Sequence, residues 1–163
     1  GVVERHKMID GKRDIKKGDK LFALPSSGPH TNGYSLIRKL KKEHPDEFDN
    51  NLMNQLCIPH KSYLDEVTIL MEANVHIHGL AHITGGGFDD NISRILPSSL
   101  SICYHDFEFS DLFQTLQRIG SLSTKAMKEV FNCGYGMIVI VDPEDSFTMR
   151  ELLPESTEIG YVM

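Results

Sequence analysis

A turn rich in glycine and small polar residues lies between an apolar run and an amphipathic helix, and it constrains the fold more than any other segment. The run Lys20–Leu24 predicts a short buried strand, which Pro25 ends. Ile37 and Leu40 recur at helical spacing, and Asn32 is well placed to cap the first turn of that helix. The predicted order is therefore strand, turn and helix N-terminus.

Residues 26–33 of this turn have the composition of an anion-binding site. Backbone N–H groups at a helix N-terminus are unpaired, and the positive end of the helix dipole favours a phosphate or a carboxylate. Gly28 and Gly33 lack the Cβ atoms that would block close approach. His30 lies inside the turn, where an imidazole can hydrogen-bond a phosphate or a reacting group. An ordinary capped helix after a turn is the alternative interpretation.

A second turn of the same kind follows the strand predicted at residues 76–83. It consists of Thr84, Gly85, Gly86 and Gly87. A short predicted helix begins at Phe88 directly after it. Consecutive glycines cost backbone entropy on ordering, so they indicate a close approach of the backbone to a ligand or to another chain segment. Two such turns could face one ligand.

Strands and helices alternate along the rest of the chain. The pattern predicts further strands at 101–104, 136–141 and 157–162, and helices at 33–42, 63–74, 111–118, 125–132 and after Asp142-Pro143. The segment 44–54 is rich in proline, aspartate and asparagine, so it predicts a surface excursion between helices. Helices of about 10–12 residues between short apolar strands favour an α/β domain with one mixed sheet covered by helices.

Charge, cysteine content and hydropathy exclude several classes of protein. The net charge of −6 argues against nucleic-acid binding, which relies on a basic surface. Cys57, Cys103 and Cys133 lack C-x-x-C spacing, so they indicate neither a disulfide framework nor a zinc site. The most apolar run, 137–141, is far shorter than the roughly 20 residues of a membrane helix. We expect a reduced, cytoplasmic, single-domain protein over residues 1–163, with neither nucleic acid nor membrane as a partner.

Three histidines of the second strand suggest a metal site, but other features count against it. His76, His78 and His82 fall on one face of the predicted strand, and H-x-H is a pattern of metal-dependent hydrolases at the end of a barrel strand. The chain is too short for a (β/α)₈ barrel of about 250 residues, and no carboxylate ligand set is evident. We therefore expect no metal site, and half-buried histidines with hydrogen-bond partners.

Three long motifs occur in one order and together resemble a known family. They are S-S-G-P-H-T-N-G-Y-S-L-I-R-K at 26–39, H-x-x-x-H-I-T-G-G-G-F-x-x-N-I-x-R-I-L-P at 78–97 and F-N-C-G-Y-G-M at 131–137. This set resembles the C-terminal domain of aminoimidazole ribonucleotide synthetase, also called phosphoribosylformylglycinamidine cyclo-ligase. Short segments at residues 1–4 and 9–11, and a match that continues to about Gly160, extend the resemblance over nearly the whole chain.

The resemblance implies a three-layer α/β/α domain and a role in de novo purine biosynthesis. In the family, ATP phosphorylates the formyl amide oxygen of formylglycinamidine ribonucleotide, and an amidine nitrogen then attacks to close the imidazole ring. Mg²⁺ bridges the nucleotide oxygens. The resemblance further implies an N-terminal domain that carries much of the ATP and Mg²⁺ site, and a homodimer of the full-length chain.

The resemblance also implies which residues of this chain would form the site. Positioning and anion stabilisation dominate such a reaction, and no nucleophilic side chain is required. His30 and Asn32 are the expected catalytic residues. The expected substrate or phosphate contacts are Ser26, Ser27, Gly28, Gly33, Thr84, Gly85, Gly86 and Gly87.

The chain departs from the family pattern in several places. Glu129 stands where the family has an arginine, and residues 59–63 read P-H-K-S-Y where P-T-x-x-Y is usual. The sequence begins where the second domain of the family begins, so we expect the N-terminal domain to be absent and the isolated chain to be inactive. Two alternatives stay open: another ATP-dependent enzyme of the superfamily, such as formylglycinamide ribonucleotide amidotransferase or selenophosphate synthetase, and a non-catalytic binding domain.

Overall fold

Five strands form a single sheet within residues 3–163, the part of the chain that the computed structural model describes. The segment at residues 1–4 that resembles the synthetase family lies partly outside these residues. The strands are β1 (Lys20–Pro25), β2 (Ile77–His82), β3 (Ile102–Tyr104), β4 (Tyr135–Val141) and β5 (Thr157–Val162). The α-helices are α1 (Gly11–Asp14), α2 (Tyr34–Glu43), α3 (Asn50–Leu56), α4 (Leu64–Glu72), α5 (Gly87–Ser93), α6 (Asp111–Gly120), α7 (Thr124–Val130) and α8 (Ser146–Leu152). None of the helices in the described part is long and apolar enough to cross a membrane.

All neighbouring strands of the sheet run antiparallel. The strand order is β2-β4-β1-β5-β3, and each of the four pairings is antiparallel. The predicted α/β class is confirmed, whereas the predicted mixed sheet is wrong. Alternation of strands and helices predicts parallel neighbours only when consecutive strands lie side by side. Here no two strands that are consecutive in the chain are neighbours, so the alternation does not determine their direction.

Helices cover both faces of the sheet and give it two hydrophobic cores. The central strand β1 shows why, because Leu21 and Ala23 point to one face and Phe22 and Leu24 to the other, all of them fully buried. The larger core lies on the face that helices α2, α3, α5, α6 and α7 cover. The smaller core lies on the opposite face beneath α4 and α8, where Met149 is buried. The domain therefore has three layers, with the sheet between two layers of helices, as the resemblance implied.

The predicted element bounds agree with the structure to within about two residues, except in the segment 44–54. This segment holds the 3₁₀ turn Pro45–Glu47 and most of α3, so the predicted surface excursion is wrong for its second half. Asp49 caps α3 by accepting a hydrogen bond from the Leu52 backbone N–H at 2.8 Å. Leu52 and Leu56 are buried in the larger core, which holds the helix in place.

Candidate functional site

The first glycine turn ends at Gly33, which is the N-cap of α2. Gly33 has a left-handed backbone with φ of 80°, and a Cβ atom there would lie 2.2 Å from the Phe131 ring. Gly33 is therefore required for packing against the chain itself. Asn32 does not cap the helix with its side chain, so this prediction is wrong. The cap residue is one position later than predicted, because only glycine fits beside Phe131.

Asn132 ties the first turn to the F-N-C-G segment. Its Nδ2 donates to the Gly28 carbonyl at 2.9 Å, and its Oδ1 accepts from the Gly134 N–H at 3.0 Å and from the Ser26 hydroxyl at 3.3 Å. The side chain is 2% exposed. Because buried amides need such partners, this residue fixes the conformation of the turn. Asn132 belongs to the F-N-C-G-Y-G-M motif, but the sequence pattern predicted no role for it.

His30 is buried inside the first turn in an unusual conformation. It is 4% exposed and has a φ of 55°, which non-glycine residues rarely adopt. Its Nε2 accepts a hydrogen bond from the Ser27 N–H at 3.3 Å, and its Nδ1 has no hydrogen-bond partner within the described residues. A Cβ atom at Gly136 would lie 2.4 Å from the His30 ring and 2.2 Å from the Tyr63 hydroxyl. Gly136 therefore makes room for both rings.

Two further histidines join His30 in a cluster that we call the histidine triad, His30, His60 and His82. The His60 ring stacks on His30 with centroids 3.8 Å apart, and the Nε2 atoms of His60 and His82 are 2.9 Å apart. His60 also donates from Nδ1 to the Lys61 carbonyl at 2.6 Å. The three residues come from the first turn, the segment between α3 and α4, and the end of β2.

The strand histidines do not act together, contrary to the shared face that the sequence predicted. A register shift between Ile77 and Gly79 interrupts the alternation of side chains along β2. His76 contacts Asp145 at 2.9 Å, and His78 contacts the buried Asp19 at 2.7 Å. His82 alone enters the histidine triad. The prediction missed His60, although the P-H-K-S-Y departure from the family pattern marked that position.

Burial keeps two members of the triad neutral. Burial, followed by the neighbouring His60 and His82, lowers the pKa of His30 to about 4. Burial and then His60 also lower the pKa of His82 below its usual value. At neutral pH both rings are therefore uncharged, so they can form hydrogen bonds or donate a lone pair. They do not supply a positive charge to a phosphate.

The second glycine turn is held by the buried side chain of Asn91. Its Nδ2 donates to the Gly87 carbonyl at 2.6 Å, and its Oδ1 accepts from the Thr84 hydroxyl at 3.0 Å. Gly87 has a φ of 67°, and a Cβ atom there would lie only 1.6 Å from the Lys128 carbonyl oxygen. The close approach that the glycines indicated is therefore, at Gly87, an approach to helix α7.

The two turns meet at Asn32 and Gly85. A Cβ atom on Gly85 would lie 3.4 Å from Asn32 Oδ1, and Gly85 itself is exposed. Asn32 Nδ2 is buried, with no hydrogen-bond partner among residues 3–163. The N–H groups of Gly85 and Gly86 also have no acceptor in that part of the chain. Each turn thus has polar groups without partners near the point where the two turns meet.

The start of the first turn faces a different cavity. Ser26, Ser27 and Gly28 line an open cavity of about 370 Å³ together with Asp111 and residues of α3 and α6. Its lining includes no residue of the second turn, and the Asp111 carboxylate opposes an anion there. The expected contact residues are therefore divided: Asn32 meets the second turn, whereas residues 26–28 do not line that meeting point.

A further cavity of about 360 Å³ adjoins the second turn at Gly86. Lys128 lies over the Phe107 ring, with its Nζ 4.3 Å from the ring centroid, and both residues line this cavity. Glu129, which stands where the family has an arginine, lies at the same cavity and 3.9 Å from Lys125. Its charge is exposed and paired on the surface of α7, so it does not disturb either glycine turn.

Comparisons with known proteins identify the family of the chain. Residues 16–163 match the family described as AIR synthase related protein, C-terminal domain. The phosphoribosylformylglycinamidine cyclo-ligase of Lactococcus lactis subsp. cremoris is 39% identical over 170 aligned residues, covering 100% of this chain and 49% of that protein. Proteins of the same name from Neisseria meningitidis (42%, covering 99% and 48%) and Thermoanaerobacter sp. (42%, covering 100% and 51%) are similar. The chain spans about half the length of these relatives. It belongs to the AIR synthase related protein family, as its C-terminal domain.

Proposed function

We propose that this chain is the C-terminal domain of a phosphoribosylformylglycinamidine cyclo-ligase, an ATP-dependent enzyme that makes aminoimidazole ribonucleotide from formylglycinamidine ribonucleotide in purine biosynthesis. The observation that carries this proposal is the match of the whole chain, at about 40% identity, to relatives with that name. Those names favour the cyclo-ligase over other enzymes of the superfamily. We also propose a cytoplasmic location.

The meeting point of the two turns is the proposed reaction site. The Asn32 amide and the N–H groups of Gly85 and Gly86 are uncharged donors without partners in the described chain. Such donors can bind a phosphate or a polarised amide oxygen, and they stabilise charge that develops during the reaction. His30, two residues before Asn32 in the first turn, contributes a neutral imidazole. We propose that it hydrogen-bonds the substrate and orients it.

The residues of these turns do not fit Mg²⁺, which requires several oxygen ligands. Asp89 accepts a hydrogen bond from the Tyr104 hydroxyl at 2.9 Å, and Asp90 pairs with Arg94. The first turn offers imidazole nitrogens rather than carboxylates. We propose that Mg²⁺ and most ATP contacts come from the half of the relatives that this chain does not cover, and that the full-length enzyme forms a homodimer.

A chimera tests the proposed activity. The N-terminal half of the Lactococcus relative, joined to this chain, should convert formylglycinamidine ribonucleotide to aminoimidazole ribonucleotide with ATP and Mg²⁺. The chain alone should show no turnover above background. A folded chimera that binds ATP without making product would contradict the proposal and favour a binding domain or another superfamily enzyme.

Asn32 tests the proposed site within that chimera. Asn32→Ser should keep the melting temperature and lower kcat by roughly 10²-fold, because a hydroxyl cannot reproduce the hydrogen bonds of an amide. Thr31→Ser, a change at the exposed neighbouring position, is the matched control and should leave kcat unchanged. A loss of activity only in proportion to a lower melting temperature would make Asn32 an architectural residue.

A further inference from the structure

The histidine triad has the ligand geometry of a metal site. One ring nitrogen of each of His30, His60 and His82 lies within 4.8 Å of the others. Nitrogen ligands bind Zn²⁺ at about 2.0–2.1 Å, so two nitrogens of a tetrahedral site lie about 3.4 Å apart. Nitrogens up to 4.8 Å apart must approach by about 1 Å, and the His60 ring, which stacks on His30 with centroids 3.8 Å apart, must turn so that the lone pairs of both rings point to one ion. His60 and His82 are both exposed, which permits that adjustment and leaves a fourth position to water.

The polar groups of the triad are incompletely satisfied by the protein. His30 is 4% exposed, yet its Nδ1 has no hydrogen-bond partner among the described residues. Leaving a buried polar atom without a partner is unfavourable, so its presence requires an explanation. Lys61, a cation that contributes to lowering the pKa of His30, is paired with Glu66 at 2.7 Å, which reduces its repulsion of a bound metal ion.

We infer that His30, His60 and His82 bind one divalent transition-metal ion such as Zn²⁺ or Co²⁺. Imidazole nitrogens suit these metals, whereas Mg²⁺ and Ca²⁺ need oxygen ligands that the triad lacks. The sequence did not predict this metal site, because the histidine pattern that it shows is limited to His76, His78 and His82. Two of the three ligands lie outside β2, and their assembly depends on the fold.

His30 takes part in both proposals, but metal binding is measured on this chain without turnover, so the metal site and the proposed activity can fail separately. The chain is stripped of metal with a chelator and titrated with Co²⁺, whose visible absorption reports coordination by nitrogen ligands. We expect saturation at one Co²⁺ per chain with the absorption of a four-coordinate ion, and displacement by Zn²⁺. Nitrogen chemical shifts of the three imidazoles should move on adding Zn²⁺.

Variants with matched controls identify the ligands. His60→Asn and His82→Asn alter exposed side chains, so both variants should keep the wild-type circular dichroism spectrum. Each should weaken Co²⁺ binding by at least about 10-fold, since even residues that only support metal ligands cost about 10–100-fold when mutated. His44→Asn removes an exposed histidine outside the triad and should bind Co²⁺ like the wild type. Absence of saturable binding, or equal weakening by His44→Asn, would overturn the inference.

Discussion

At the scale of single residues, one buried amide holds two backbone segments together. Asn132 contacts the first turn at Ser26 and Gly28 and its own loop at Gly134. Asn132→Ala would leave the Gly28 carbonyl and the Gly134 N–H without these partners. We expect the free energy of unfolding to fall by about 2–4 kcal/mol, measured by urea denaturation.

The control for this change is an exposed asparagine. Asn54→Ala, on the exposed surface of α3, should change the free energy of unfolding by less than about 0.5 kcal/mol. If Asn132→Ala were equally mild, the first turn would not depend on that amide.

His30 should make the stability of the domain dependent on pH. The pKa of His30 is about 4 in the folded chain, compared with an ordinary value of 6.5. Between these two pH values the unfolded chain therefore binds one more proton at His30 than the folded chain does. The free energy of unfolding should therefore have its full value, as far as His30 is concerned, above pH 6.5, and it should fall as the pH is lowered towards 4. His82, whose pKa is also lowered, acts in the same direction.

Unfolding free energies of the wild type and His30→Asn, measured from pH 4 to 7, test this linkage. The variant should lose part of the slope between pH 6.5 and 4, whereas His44→Asn should retain all of it. Identical slopes for the wild type and His30→Asn would show that folding does not lower the pKa of His30.

At the scale of elements, two glycines of the second turn differ in their role: Gly87 is required for packing, and Gly85 is not. Gly87 has a positive φ and approaches the Lys128 carbonyl, whereas a Cβ atom on Gly85 would meet only Asn32 at 3.4 Å. Gly87→Ala should lower the free energy of unfolding by about 3 kcal/mol or more. Gly85→Ala should cost less than about 1 kcal/mol. Paired thermal and urea unfolding measures both, and equal losses would contradict this account.

Elements were predictable where the signal is local. Pro25 ends β1 as predicted, and Asp142 caps the turn after β4 by accepting from the Glu144 N–H at 3.0 Å. Helix α3 was missed because its exposed face is polar and its support comes from the distant larger core. Strand direction was predicted wrongly, because it depends on the order of strands in the sheet rather than on any one segment.

At the scale of the whole molecule, the sequence predicted two glycine turns that could face one ligand, and the fold brings the turns together at Asn32 and Gly85. The histidine triad could not be predicted in this way. His60 lies 30 residues from His30 in a segment without regular structure, and only long-range packing brings their rings together. Local patterns therefore identified the turns, whereas tertiary structure was needed to identify the triad.

The unequal cores give the domain a weaker side. Within residues 3–163, only α4 and α8 cover the smaller core, and each exposes a large apolar side chain, Leu64 at 70% and Phe147 at 68%. Regions with fewer buried contacts open at lower free energy than the rest of a protein. We therefore expect amide protons of α4 and α8 to exchange with solvent at least about 10-fold faster than those of α6, measured by native-state hydrogen exchange.

Uniform protection across the three helices would contradict this expectation. Partial opening on one face would leave β1 and β4 paired at the centre of the sheet and the larger core intact. Limited proteolysis should therefore begin in α4 or α8, and its first product should be a nicked domain that still holds both glycine turns.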